Sequence, residues 1–178
     1  MARSNGGDGV RYDKLSTPWN DPLSLFSFAG AWAPVATGLI AGWGAWDGER
    51  LSGALLGERA GSAVMLHGPV VVTPPGSPPE AAVEVAGRLV ADALEQAQAD
   101  GIDTVYTRPQ GLDRIWVRCG FIPVPEAELP KDLRGRPGVG LFGWRGGTAL
   151  WSSAGRGPTR RRTVPPARAT MFTEGHRL

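Results

Sequence analysis

Between Pro79 and Gly101, the residues Val83, Ala86, Val90, Ala93, Leu94 and Ala97 recur at the spacing that gathers them on one face of a helix. Ser77-Pro78-Pro79-Glu80 reads as a capping box with proline at the first helical position, and Gly101 supplies the stop. A helix of about 22 residues is roughly 33 Å long. That length suffices to lie across a sheet.

The strands for such a sheet stand on either side. Residues 39–46 alternate small and aromatic side chains, and Asp47-Gly48 is a strong two-residue hairpin signal. Residues 51–57 read as the returning strand, with a second turn around residues 58–61. Residues 63–72 form a third strand, in which Gly68-Pro69 predicts a bulge or splayed edge because proline cannot donate to a ladder. After the long helix, residues 102–107 return as a strand. Residues 111–119 form a second amphipathic helix closed by Gly120, residues from Phe121 are extended and proline-broken, and residues 139–145 suit a final strand. Upstream, Asp21 and Pro22 read as a cap and first helical position of a short apolar helix that Pro34 ends. The fold class is α/β, a mixed, largely antiparallel twisted sheet with a long helix packed on it.

The chain has 178 residues, 42% of them hydrophobic, which suits one domain with its own core. Residues 1–14 are polar and glycine-rich and read as a disordered lead, residues 15–152 as the domain, and residues 153–178 as a disordered basic tail. The formal net charge of +2 is uneven: six arginines follow Gly155 against a single acid, Glu174. The domain itself is therefore mildly acidic. Weak contact of the tail with nucleic acid through counterion release is one expectation, and a merely solvated tail is the other. No run approaches the ~20 apolar residues that cross a bilayer, so the reading is soluble and cytoplasmic with no membrane partner. Cys119 is the only cysteine, which excludes an intramolecular disulfide and a multi-thiolate metal site. No metal is expected.

His67 lies on the strand before the long helix, and its intrinsic pKa suits a general base for an amine; a hydrogen-bonded structural histidine is the competing account. Glu49 and Glu58 fall at hairpin turns, where solvated acids are ordinary. Arg108, Gln110, Asp113 and Arg114 crowd the link to the second helix beside Tyr106 and Trp116, where an arginine could bind a carboxylate or phosphate bidentately. The rival there is a surface ion-pair cluster. Trp43, Trp46, Tyr106, Gln110, Asp113 and Trp116 are the candidate pocket wall, although a tryptophan serves a core equally well. Residues 125–137 read as a lid or as a plain connecting loop.

The order of hairpin, strand, long helix, strand and short helix ending in Gly-Phe resembles the second half of the GCN5-related N-acetyltransferase (GNAT) superfamily over about residues 39–145. Val70-Val-Val-Thr-Pro74, the run from Arg88 to Ile102, and Ile115-Trp-Val-Arg-Cys-Gly-Phe121 carry the resemblance. It implies acyl transfer from a thioester, acetyl-CoA or another acyl donor, to a small-molecule amine or a protein acceptor. The strand backbone at Val70, Val71 and Val72 would hold the pantetheine arm, with Arg108 as a further donor contact.

Two departures accompany it. The family binds pyrophosphate on a glycine-rich loop at the start of the long helix. Here that place holds Ser77-Pro78-Pro79-Glu80, which removes amide donors and adds a negative charge. The family often places an acidic tyrosine four residues before the glycine of the Gly-Phe pair, where this chain has Trp116, and an indole releases no proton near neutral pH. Pantetheine presented by an acyl carrier protein would not need the nucleotide site. A catalytically degenerate relative that binds a ligand or a protein is the alternative.

Overall fold

The computed structural model describes residues 9–146. Seven strands form one sheet: β1 (Arg11–Leu15), β2 (Leu39–Asp47), β3 (Arg50–Ala60), β4 (Ala63–Val71), β5 (Thr104–Thr107), β6 (Ile122–Pro123) and β7 (Phe142–Trp144). Their order across the sheet is β1-β2-β3-β4-β5-β7-β6, antiparallel throughout except for the parallel β4–β5 pair. Three helices complete the fold: α1 (Asn20–Phe28), α2 (Pro79–Ala99) and α3 (Asp113–Arg118).

Strand alternation sorts the side chains onto two faces. Leu55, Val64, Leu66 and Val105 point to the face covered by α2, where they meet Ala86, Leu89, Val90 and Ala93. Ala54, Leu56 and Val70 point the other way and pack with Trp19 and Phe26 around α1. On that same second face, Met65 and Tyr106 pack with Leu129, Leu133 and Leu141 from the 124–141 connection. The second face is thus covered by two separate clusters.

All three helices end through one device. Gly30, Gly101 and Gly120 adopt φ of 68°, 66° and 87°, and the residue after each donates back to a carbonyl in the last turn: Ala31 to Phe26, Ile102 to Ala97, and Phe121 to Trp116. In the third case the paired residues also touch, with the Trp116 and Phe121 rings 4.9 Å apart, edge to face. Both rings are almost wholly buried.

The Asp47-Gly48 hairpin, the long helix with its apolar face and the Gly101 stop form where the sequence places them. Other elements differ, each for a local reason. The expected lead contains β1, which pairs with β2 from Arg11↔Trp46 to Leu15↔Gly42; the open edge of β2 recruits it without any apolar period of its own. α1 ends at Gly30 rather than at Pro34, and its N-cap is Trp19 rather than Asp21. The Ser77 capping box does not form. Pro78 is the N-cap, and the Ser77 amide closes a turn onto Pro74 O instead. β3 runs on to Ala60, so Glu58 and Arg59 are strand residues rather than turn residues. The final strand is shorter than residues 139–145. Residues 1–8 and the expected basic tail lie outside the described residues.

β4 pairs with β5 only from Ala63↔Thr104 to Leu66↔Thr107, while on its other side it follows β3 to Gly53↔Val71. Between Ala54↔Val70 and Leu56↔His67, Gly68 and Pro69 stand opposite the single residue Leu55, which is the predicted bulge. Gly68 has φ +97°, and a Cβ there would stand 3.0 Å from Ala54 O and from Val70 N, both backbone atoms. Gly68→Ala should therefore destabilise the protein by about 1–3 kcal/mol, measured as a lower denaturant midpoint with an unchanged slope.

Candidate functional site

His67 is the first β4 residue beyond the last β4–β5 pair, and it points to the second face, between the α1 cluster and the 124–141 cluster. Glu58 shares that face by alternation from Ala54 and Leu56. In the β3–β4 register Glu58 opposes Met65, two residues from His67, so the two side chains are diagonal neighbours. His67 Nε2 lies 3.1 Å from Glu58 Oε2.

Arg136 closes the group from the loop above. Its Nε donates to Glu58 Oε2 at 3.0 Å, and one terminal nitrogen donates to Oε1 of the same carboxylate. The guanidinium also donates to the carbonyls of Arg134 and Asp132, each at 3.0 Å. The Arg136 hydrogen bonds hold the Glu58 carboxyl below its ordinary range, more than offsetting its desolvation. Burial pushes the His67 pKa down, against the opposing pull of Glu58. His67 is accordingly neutral at neutral pH. Because Glu58 is a carboxylate that can only accept, Nε2 carries the proton and Nδ1 keeps its lone pair.

One cleft adjoins this group, and two more continue from it through shared wall residues. One of about 410 Å³ is lined by His67, Glu58, Arg136, Trp32 and Gln110. A second of about 430 Å³ shares Trp32 and Gln110 with it and reaches Asp113 and Val139. The third, about 950 Å³, shares Asp113 and lies between α2 and α3, with Glu80, Glu84 and Gly87 on one wall and Arg114 and Arg118 on the other. The shared walls place the three in series around the end of β5.

Among the residues singled out from the sequence, the fold brings His67 and Gln110 to one cleft and Gln110 and Asp113 to the next. It places the other candidate wall residues elsewhere. Trp43 is buried beneath α2 and borders a crevice of about 30 Å³ and a cleft of about 320 Å³ beside β1, neither of which reaches His67. Trp46 lies under the Arg11 guanidinium, 5.6 Å from its ring centre, at the β1–β2 edge. Tyr106 is buried with its hydroxyl donating to Glu128 O at 3.0 Å, and Trp116 is fully buried. Arg108 is engaged by Glu126 and by Gly140 O at 3.1 Å, within the 124–141 connection. Val70 packs on the α1 cluster and Val71 against the α2 core, while the Val72 amide donates to Ser52 O at 2.7 Å. Residues 125–137 do form one wall of the histidine cleft, through Gly135 and Arg136.

Glu58, Arg136 and Trp32 are members that sequence reading did not select. The signal for Glu58 was the alternation 54-56-58, obscured when the strand was ended at residue 57. Arg136 and Trp32 left no local signal, since each is brought in by a loop. Among the described residues no group of three or more His, Cys, Asp and Glu is placed to hold a metal ion, and no helix is long and apolar enough to cross a membrane.

The pKa directions carry a stability signature. Both His67 and Glu58 are held below their ordinary values of 6.5 and 4.5, so the folded state binds fewer protons than the unfolded one in each window. Stability should fall as pH drops below 6.5 and fall again below 4.5. Glu58→Gln should remove the second contribution and lower stability at pH 7 by about 1–3 kcal/mol through the loss of its buried ionic hydrogen bonds, as read from denaturant unfolding across pH.

No family model and no curated protein matches the sequence. Solved structures match it in shape. An acetyltransferase of the GNAT family from Staphylococcus aureus superposes with a TM-score of 0.59 at 9% identity, covering 78% of this chain and 99% of that one. The ribosomal-protein-S18-alanine N-acetyltransferase of Escherichia coli gives a TM-score of 0.57 at 10% identity, covering 78% and 95%. N-acetylglutamate synthase from Neisseria gonorrhoeae, complexed with coenzyme A and N-acetyl-glutamate, gives 0.57 at 15% identity over 77% of this chain, which spans 35% of that one. At such identities the likeness is one of fold, and the fold, with its long helix on a mixed sheet, is that of the GNAT acetyltransferases.

Proposed function

We propose that the protein transfers an acyl group from a thioester to an amine, with His67 as the general base. The observation that carries this reading is the parting of β4 from β5 immediately before His67, which leaves a strand edge open in the middle of a sheet. The Val72 amide faces β3, so alternation turns the N–H and C=O of Val71 toward the gap. An open strand edge is a template for an extended amide-bearing chain. The two amides of a pantetheine arm have that chemistry, and Val71 is the residue that would pair with them.

Residues at the two ends of the gap divide the remaining work. His67 Nδ1 takes a proton from the acceptor's ammonium group, the freed amine attacks the thioester carbon and sheds its second proton to solvent, and Glu58 steadies the imidazolium through Nε2. The new C–N bond forms as the C–S bond breaks, and the departing thiolate takes up a proton from solvent. The start of α2 does not suit a pyrophosphate: Pro78 and Pro79 carry no N–H, the Ser77 and Ala81 amides are engaged by Pro74 and Pro78, and Glu80 is anionic. Arg114 and Arg118, one turn apart on α3, are the cations available to a phosphate in the 950 Å³ cleft. Both acyl-CoA and pantetheine on a carrier protein are donors compatible with that arrangement, and small amines or a protein terminus are acceptors of the required chemistry.

The second reading, a GNAT fold retained for binding alone, has the buried Trp116 and the blocked helix start on its side. Two measurements decide between them. Acetyl-CoA, and separately acetyl-pantetheine, should raise the melting midpoint and release thiol in the presence of amines; neither effect at millimolar donor leaves only the binding reading. His67→Ala should lower kcat by about 10²–10⁴-fold with an unaltered far-ultraviolet spectrum. The acid limb of kcat/KM should lie below pH 6.5, because burial disfavours the charged imidazole. Glu58→Gln should move that limb to still lower pH, since Glu58 raises the His67 pKa.

A further inference from the structure

Apolar side chains border the clefts beside His67 and remain open to solvent. Trp32, 55% exposed, borders both the 410 and the 430 Å³ clefts. Val35, 75% exposed, borders the first, and Val139, 86% exposed, borders the second. Trp32 is held in place despite its loop. Its amide donates to Gln110 Oε1 at 2.8 Å and its carbonyl accepts from Gln110 Nε2 at 3.3 Å, so one glutamine side chain clamps the α1–β2 connection to the segment after β5.

The charges lining these two clefts are Glu58, His67, Asp113 and Arg136. Four of the five N–H groups of the Arg136 guanidinium already donate, to Glu58 or to a backbone carbonyl. In the histidine cleft Glu58 and Arg136 cancel and the histidine is neutral, and the neighbouring 430 Å³ cleft adds the carboxylate of Asp113. A substrate carboxylate would lose its hydration there without gaining an ionic partner, a cost that grows with burial. An ammonium group on an apolar body meets better conditions: a neutral imidazole that can accept its proton, aromatic and branched walls, and a tryptophan face.

Resting on the acyl-transfer reading, we infer that the acceptor is a primary amine borne on an aromatic or branched apolar body that lacks a carboxylate, seated against Trp32, Val35 and Val139 with its nitrogen toward His67. Two pairs of probes isolate each part of that statement. 2-Phenylethylamine and phenylalanine share a body and differ by the carboxylate; 2-phenylethylamine and ethanolamine share the amine and differ by the body.

With acetyl-CoA or acetyl-pantetheine as donor, kcat/KM for 2-phenylethylamine should exceed that for phenylalanine by about a hundredfold or more, and that for ethanolamine by about tenfold or more. Trp32→Ala, at an exposed position that leaves the core intact, should raise KM for 2-phenylethylamine by about tenfold with kcat little changed. Equal or faster transfer to phenylalanine or glutamate, or an unchanged KM in Trp32→Ala, overturns the inference while acyl transfer stands. If no amine releases thiol, the transfer reading falls, and calorimetric titration judges the cleft by itself. Binding of 2-phenylethylamine that is weakened in Trp32→Ala and absent for phenylalanine supports the assigned ligand class; no binding, or equal binding of both, overturns it.

Discussion

β3 accompanies β4 to its end, but β5 leaves it after Leu66, and the bulge at Gly68-Pro69 is what allows both. A regular strand held on one side by β3 would continue in register with β5 on the other. The two bulge residues opposite Leu55 turn the strand, and Pro69 has no amide with which to restore the ladder. Room for the turn exists only because residue 68 lacks a side chain: a Cβ there would also stand 3.1 Å from Phe26 Cζ, so α1 is packed directly onto the bulge. A gap in mid-sheet is an unsatisfied edge, and proteins do not leave such edges without a reason in packing or in binding. Here α2 packs on one face of the sheet while the other face stays divided between two clusters.

That division determines what His67 can do. A histidine at the centre of a covered face would be a packed, inert group; one at the open rim would titrate as in water. Between the α1 cluster and the 124–141 cluster it is desolvated yet borders a cleft, so it stays neutral and keeps access to a ligand. Glu58 and Arg136 are needed for the same reason. A carboxylate beside a buried imidazole would otherwise favour the charged ring, and the guanidinium reduces that pull while fixing the carboxylate's position. Arg136 stands 78 residues from Glu58 in sequence, so the same ion pair that tunes the histidine also ties the late loop to the second hairpin strand.

The fold was legible wherever one residue type suffices to punctuate it: Asp47-Gly48 for the hairpin, Gly101 and Gly120 for helix ends, Gly68-Pro69 for the bulge, and the 83-86-90-93-97 spacing for the long helix. β1 was not, because only Tyr12 and Leu15 are apolar there and the pairing energy comes from the edge of β2. Around the proposed site, the sequence offers His67 and Gln110 by their chemistry and by their place beside the split. The aromatic residues cannot be picked in that way. Trp43 and Trp116 differ from Trp32 in nothing but the face or loop that carries them, and a tryptophan's size serves a core and a pocket alike. Glu58 is hidden in the sequence because the apolar run of β3 ends at Gly57 while the strand continues to Ala60.

On the proposed acyl-transfer reading, Trp116 shows how a site could keep a base while giving up an acid. Its carbonyl accepts the Phe121 amide, and its ring packs edge-on against Phe121, so the residue anchors the end of α3 and is sealed from every cleft. The chain's tyrosines, Tyr12 and Tyr106, lie at the outer strand and beneath the 124–141 connection, where neither reaches the gap. Acyl transfer to an amine does not treat its two proton transfers equally. An alkyl ammonium holds its proton to a pH well above neutrality, so a base must remove it before attack, whereas a thiol of pKa about 8.5 leaves readily as its anion. A chain under selection for stability at the α3 terminus can therefore fill the acid position with a packed indole, but the buried imidazole on β4 has no such substitute.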